Sequence, residues 1–219
     1  DGLIYINSIA HCWKGEMPVN TTVALRNGTT SISPYCFGGN SGGNLIGISI
    51  PDSVVDIGAS AFSYCGNLTD ILLPSGLRTI ESRTFAGCKS LKNVIIPSQV
   101  TKIGEYAFME CTFEKITLPN GLTQICTGAF SGCTELKSIT IPKSVTLLGR
   151  DAFWGCVGLK DVCILANIEE IDWSNFAGCK DLKSVTLPAS VKRIGMGAFS
   201  GCTSLTDIFY AGNKEQWDT

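Results

Sequence analysis

From residue 23 onward the chain repeats one pattern of apolar and polar positions. It is complete in Leu136-Lys-Ser-Ile139-Thr-Ile141-Pro142-Lys-Ser-Val145-Thr-Leu-Leu148-Gly149-Arg-Asp-Ala152-Phe153-Trp-Gly-Cys156. The first part alternates apolar and polar residues, the period of a half-buried strand. Leu136, Ile139 and Ile141 point inward, while Ser138 and Thr140 face solvent. Pro142 then ends the strand, because it has no N–H to give to a ladder. Six of the eight prolines hold this place: Pro51, Pro74, Pro97, Pro119, Pro142 and Pro188. A second apolar pair, Val145 and Leu148, carries the chain across the edge of the unit. The Ala-Phe-x-x-Cys segment then returns on the far side, predicted as one short helical or 3-10 turn.

Phenylalanine sets the register. Phe37, Phe62, Phe85, Phe108, Phe130, Phe153, Phe176 and Phe199 follow one another at intervals of 25, 23, 23, 22, 23, 23 and 23. Seven of these eight are followed three residues later by cysteine: Cys65, Cys88, Cys111, Cys133, Cys156, Cys179 and Cys202. A period of 23 falls within the range of leucine-rich repeats, in which each unit is one coil of a solenoid. The fold class is therefore α/β, a leucine-rich repeat solenoid with one parallel concave sheet of about nine strands. Those strands are expected near Val23, Ile48, Ile71, Val94, Ile116, Ile139, Val162, Val185 and Ile208, stacked at about 4.8 Å. Two places break the period. Gly38 to Asn44 holds two extra residues and reads as a flexible bulge, and Cys111-Thr112-Phe113 is one residue short, with Phe113 in a leucine place.

Residues 1–22 do not fit the unit. Leu3 to Ile6 and Ile9 to Trp13 flank Asn7-Ser8 and read as a hairpin, placed to cover the open end of the array. The expected organisation is a capping hairpin over 1–22, the array over 23–210, and the remnant of a C-terminal cap over 211–219, with Trp217 covering the last coil.

Composition narrows the function. Net charge is −2, from 17 basic and 19 acidic residues, and no segment concentrates cations. Nucleic-acid binding needs such a footprint and is not expected. No apolar run approaches the roughly 18 residues of a membrane span, so no membrane insertion is expected. Eleven cysteines invite a disulfide or metal reading, but there is no C-x-x-C pair and seven recur at one inward position. Stacked in register they point the same way, whereas a disulfide needs facing Cβ atoms about 3.8 Å apart. Zinc needs convergent ligands instead of a line of them. The column reads as reduced thiols behaving as small hydrophobes. Cys12, Cys36, Cys126 and Cys163 lie off it. The one histidine, His11, sits beside Cys12 in a strand, where neighbouring side chains face opposite sides. No catalytic residue, metal or cofactor is expected. Asn20, Asn27 and Asn67 open N-x-Thr sequons, meaningful only in a eukaryotic secretory route.

The outward columns of the sheet carry more information. Between the two inward positions the order is Ser49, Leu72, Ile95, Thr117, Thr140, Cys163, Thr186 and Phe209. Two residues earlier it is Gly47, Asp70, Asn93, Lys115, Ser138, Asp161, Ser184 and Asp207. A third column holds Lys92, Lys137, Lys160 and Lys183, interrupted by Glu114. One reading is a threonine ladder with solvated lysines. The sharper reading is a recognition face built from Leu72, Ile95, Asp70, Asn93, Lys115, Thr117, Thr140 and Phe209. Leu72 and Ile95 would then form an apolar pair open to solvent, which soluble sheets tend to avoid.

The recurring Leu-x-x-Ile-x-Ile-Pro-x-x-Val-x-x-Ile-Gly-x-x-Ala-Phe-x-x-Cys resembles the BspA-like leucine-rich repeat family of bacterial surface proteins. The resemblance covers residues 23–210, and the segments Asp1 to Tyr5 and Tyr210 to Trp217 look like the flanks of such arrays. It implies a right-handed solenoid, secreted or held at the cell surface, without a catalytic motif and often used in adhesion. The sixth full unit departs from the pattern, with Leu165 for proline, Asp172 for glycine and Asn175 for alanine, and is expected to open the convex side locally. The expected function is a non-enzymatic binding or adhesion module for a protein or glycan partner. The alternative is a structural spacer within a larger surface protein.

Overall fold

The computed structural model describes residues 2–213. Gly2–Ile6 and Ile9–Lys14 form an antiparallel hairpin, turning at Asn7 with a φ of 54°. From there the chain winds as a solenoid of parallel, in-register coils. Two ladders run along it. The first joins the Ile-x-Ile segments, in a block Thr21–Ala24, Leu45–Ser49, Asp70–Ile71 and Asn93–Val94, and a block Ser138–Ile141, Asp161–Ile164, Ser184–Leu187 and Asp207–Tyr210.

The second ladder lies where the Val-x-x-Ile pair crosses the coil. It starts on the hairpin, with Ile9 and Ala10 beside Ser31 and Ile32, and then reaches Asp56–Ile57. It resumes through Thr79–Ile80, Lys102–Ile103, Gln124–Ile125 and Leu147–Leu148. Each coil thus has two strand-forming corners, where the alternation of a single Ile-x-Ile segment pointed to one.

The single nine-strand sheet is corrected by the structure. Among the described residues the coil carrying Phe130 contributes no strand to the first ladder; its extended segment 115–118 lies between the two blocks unpaired. The cause is the deletion between Cys111 and Phe113. One residue less shortens the path into this segment, while its inward residues stay anchored: Ile116 and Leu118 are buried, and Phe113 packs edge-on to Phe108 and Phe130. Side-chain packing keeps the coil in register, and the backbone rungs are lost.

The return segment is also not helical. Among the described residues the one 3-10 helix is Gly39–Asn44, in the glycine-rich stretch that holds the two extra residues. A Cβ at Gly42 would collide with the Phe37 carbonyl and the Cys65 sulfur. Elsewhere the return is a run of tight turns. Gly128, Phe130 and Gly132 donate their N–H groups to Arg150, Ala152 and Trp154 of the next coil, at 2.7–2.9 Å. Ala129, Ser131 and Cys133 donate back to residues three earlier. Two left-handed positions per coil produce this alternation, one occupied by Arg83, Tyr106, Gly128 and Asp151, the other by Glu110, Gly132 and Gly155. A helix cannot accommodate left-handed residues at that frequency.

The core is a phenylalanine spine. The eight rings from Phe37 to Phe199 stack nearly parallel, with centroids 5.3–5.6 Å apart. Beside it runs the cysteine column, and here the thiols do more than fill space. Cys65, Cys88, Cys111, Cys133, Cys156, Cys179 and Cys202 each donate S–H to the phenylalanine carbonyl of the preceding coil, at 3.1–3.4 Å. The sixth full unit stays closed, against expectation. Asn175 is fully buried in its alanine place and donates to the Gly149 carbonyl at 2.8 Å, and Phe153 and Phe176 stack normally. The expected C-terminal cap with Trp217 lies outside the described residues.

Burial makes the column thiols poor acids. It pushes Cys88 up to about 12, and raises Cys65, Cys111, Cys133 and Cys156 as well. The neighbouring Cys202 thiol and burial raise Cys179, and the same interaction between the two thiols holds half-buried Cys202 below its ordinary value. Since the thiolate is the reactive form, a thiol reagent at neutral pH should label Cys202 first and leave Cys65 through Cys179 of the column intact until unfolding. Peptide mass mapping after timed alkylation reads this directly. Uniform labelling of the column, or bridges within it, would contradict the hydrogen-bonded arrangement.

Candidate functional site

The first ladder places the outward columns as its register requires. Gly47, Asp70 and Asn93 lie side by side, as do Ser138, Asp161, Ser184 and Asp207. Thr140, Cys163, Thr186 and Phe209 form one row across the second block. All eight residues singled out in the sequence are solvent-facing on this side. Leu72 and Ile95 are 72% and 73% exposed, and Phe209 is 57% exposed. Asp70 and Asn93 are tied to one another, the Asn93 Nδ2 donating to Asp70 Oδ1 at 3.0 Å. Phe209 lies in the second block, three strands from Thr140, and so apart from the Leu72–Ile95 pair in the first.

Between the blocks the face is indented. Two clefts flank segment 115–118 and share it as a wall. One, of about 610 Å³, is lined by Ile95, Pro97, Lys115, Thr117, Pro119 and Asn120. The other, of about 590 Å³, is lined by Lys115, Thr117, Ser138, Thr140, Pro142 and Leu165. Both volumes fall in the range of small-molecule and anchor pockets. The backbone of 115–118 makes no hydrogen bond within the chain among the described residues; the nearest rung is Lys137 N–H to the Glu114 carbonyl, at 3.0 Å. The indentation therefore offers free amide groups, an apolar rim from Ile95 and Leu165, and the Lys115 ammonium. The missing residue before Phe113 was the signal for it, although the eight outward residues were chosen on other grounds.

Three other sequence candidates do not converge. His11 faces the Ser33 hydroxyl, with Nδ1 and Oγ 3.3 Å apart, and is not brought to Cys12 or to Cys163 in strand Asp161–Ile164. Cys163 occupies an outward strand place in register with Thr140. Among the described residues no group of three histidine, cysteine or acidic side chains is placed to hold a metal, and no helix is long and apolar enough to cross a membrane.

Stacked parallel coils with a phenylalanine spine and an indented strand face define a leucine-rich repeat solenoid. The sequence profile of the BspA-type leucine-rich repeat region matches residues 10–123 and 101–219 in six copies, and the chain belongs to that family. Solved bacterial structures share the fold. A leucine-rich repeat protein of T. pallidum is 26% identical, with a TM-score of 0.58 over 90% of this chain and 82% of its own. One from Eubacterium ventriosum is 18% identical, with a TM-score of 0.51 over 93% of this chain and 80% of its own. The pneumococcal vaccine antigen PcpA is 20% identical, with a TM-score of 0.54 over 88% of this chain and 62% of its own. No curated protein sequence matches the chain.

Proposed function

We propose that the chain is a non-enzymatic binding or adhesion module displayed on the outside of a bacterial cell, recognising a partner through its strand face. The observation that carries this reading is the conjunction of Leu72 and Ile95, nearly three-quarters exposed just past the ends of adjacent strands, with the indentation at Lys115 and Thr117. An exposed apolar pair beside a cleft with unpaired amides suits a protein surface. One side chain of the partner covers the pair, and its backbone or a carboxylate meets segment 115–118 and Lys115. Thr140 and Leu165 line the far side of the same indentation. The family resemblance supports display at a bacterial surface.

The test replaces Leu72 and Ile95 together by Thr, which restores the threonine column of the neighbouring strands and leaves the core untouched. Desolvated apolar anchors dominate interfaces, whereas exposed lysine pairs contribute little in salt. Against a panel of host matrix proteins and glycans, the double variant should bind at least about tenfold more weakly than wild type, with an unchanged circular dichroism spectrum. Equal binding removes the pair from the site. Loss of binding only on replacing Lys137, Lys160 and Lys183 moves the site to the charged column. A spacer tolerates both sets of substitutions.

A further inference from the structure

An asparagine followed by glycine is prone to lose its side-chain amide, because a glycine nitrogen has no neighbouring Cβ to hinder its approach to the asparagine Cγ. The chain holds two such pairs, Asn27-Gly28 and Asn120-Gly121. The second stands at the strand-face indentation, where Asn120 lines both clefts. In the other turns that open on proline the same place is held by Asp52, Ser75, Ser98, Lys143 and Ala189. The coil that lost its first-ladder rungs is also the one that carries the labile pair on this face.

The local geometry leaves the pair free to react. Asn120 and Gly121 are both exposed, in a turn closed by the Leu122 N–H donating to the Pro119 carbonyl at 3.0 Å. Neither the Asn120 side chain nor the Gly121 N–H makes a hydrogen bond among the described residues. The nearest atom a Cβ on Gly121 would meet is the Ser98 carbonyl oxygen at 3.7 Å, so the preceding coil does not crowd the site. Asn44, Asn67, Asn93 and Asn175 are held differently. Each donates its Nδ2 to a fixed acceptor at 2.6–3.0 Å, and each is followed by a bulky apolar residue.

We infer that Asn120 is a site of spontaneous deamidation whose product weakens recognition at the strand face; the second half of this inference rests on the binding reading above. The Gly121 nitrogen gives up its proton to water or hydroxide and bonds to Asn120 Cγ, while the Cγ–Nδ2 bond breaks and ammonia leaves. Water then opens the cyclic imide at one of its two carbonyls, giving aspartate or isoaspartate at residue 120. Nothing is oxidised or reduced, and water is the co-reactant. Either product sets a carboxylate among the lining residues that include Lys115 and Lys143. There it attracts the ammonium groups and repels a partner's carboxylate.

Peptide mapping of the full chain by mass spectrometry, after incubation at mildly alkaline and at mildly acidic pH, tests the modification. The Asn120 peptide should gain the mass of an amide exchanged for an acid and split into aspartate and isoaspartate forms. Conversion should be faster at alkaline pH, because the attacking nitrogen must lose its proton. Peptides with Asn44, Asn67, Asn93 and Asn175 should stay unchanged, and Gly121→Ser, which copies Ser144 of the next turn, should slow the reaction. Conversion of Asn120 no faster than that of Asn67, or unaffected by Gly121→Ser, overturns the site. Binding is then compared in an Asn27→Gln background, which confines the charge change to residue 120. Against the same panel of matrix proteins and glycans, Asn120→Asp should bind about tenfold more weakly than Asn120→Gln, with the difference shrinking in high salt. Equal binding by the two overturns the effect on recognition even where Leu72→Thr, Ile95→Thr confirms the strand face. A wild-type chain that binds nothing in the panel overturns that effect together with the binding reading, and the mapping decides the modification separately.

Discussion

Replacing Phe130 by Ala is expected to cost about 3–5 kcal/mol, the range for a buried phenylalanine truncated to alanine. It should also split the unfolding transition. Phe130 is fully buried, and its ring is stacked between Phe108 at 5.5 Å and Phe153 at 5.3 Å. It also meets Phe113 edge-on at 6.4 Å. In a solenoid each coil touches only its neighbours, so cooperativity passes along the array through nearest-neighbour interfaces. At this coil the first ladder is already open, and the spine, the second ladder through Gln124 and Ile125, and the hydrogen bonds between turns carry the coupling. Removing the ring takes away one of the three. Urea denaturation followed by circular dichroism should show two transitions in the variant where wild type shows one. Phe62→Ala, in a coil whose first-ladder rungs are intact, should lower stability by a similar amount without splitting the transition. A single, unshifted transition in Phe130→Ala contradicts the spine.

What the sequence disclosed, and what it concealed, follows from where each constraint acts. The spine, the cysteine column and the outward rows were legible because each depends on one residue type recurring at one inward or outward place. Parallel in-register stacking converts that recurrence directly into neighbours. Leu72 beside Ile95, and Thr140 beside Cys163, needed no more than the period. The open rung at 115–118 was only half legible. The missing residue before Phe113 was visible, but its effect depends on whether side chains or backbone absorb the shortening. Here the buried Ile116, Leu118 and Phe113 held their places and the backbone gave way. The turns were misread as short helix because the left-handed residues at Arg83, Tyr106 and Asp151 carry no glycine to announce them.

The cysteine column leads to the other large effect, an alkaline unfolding of unusual steepness. In an unfolded chain a thiol loses its proton near 8.5. In the folded chain burial raises Cys65, Cys88, Cys111, Cys133 and Cys156, and the neighbouring Cys202 thiol together with burial raises Cys179. A group whose folded value lies above its unfolded one favours the fold while it stays protonated. The full contribution is therefore present at neutral pH, begins to fade above about pH 9, and keeps fading until the folded thiols themselves ionise. One unit of pH within that window removes about 1.4 kcal/mol per thiol. Several such thiols losing this together remove a large part of the stability of an ordinary domain. The protein should lose stability steeply as pH rises above about 9 in the presence of a reductant, with a midpoint far less dependent on pH below 8. Replacing Cys88, Cys133 and Cys179 by Ala leaves every other titrating group in place, so the difference in slope isolates the thiols. Each replacement also removes an S–H donor to a phenylalanine carbonyl, a loss of about 1 kcal/mol at neutral pH. The triple variant should thus be the less stable protein at pH 7 and lose stability only about half as steeply above pH 9. Urea midpoints measured across that range decide the matter: parallel slopes for the two proteins would mean that the column is not buried as protonated thiols.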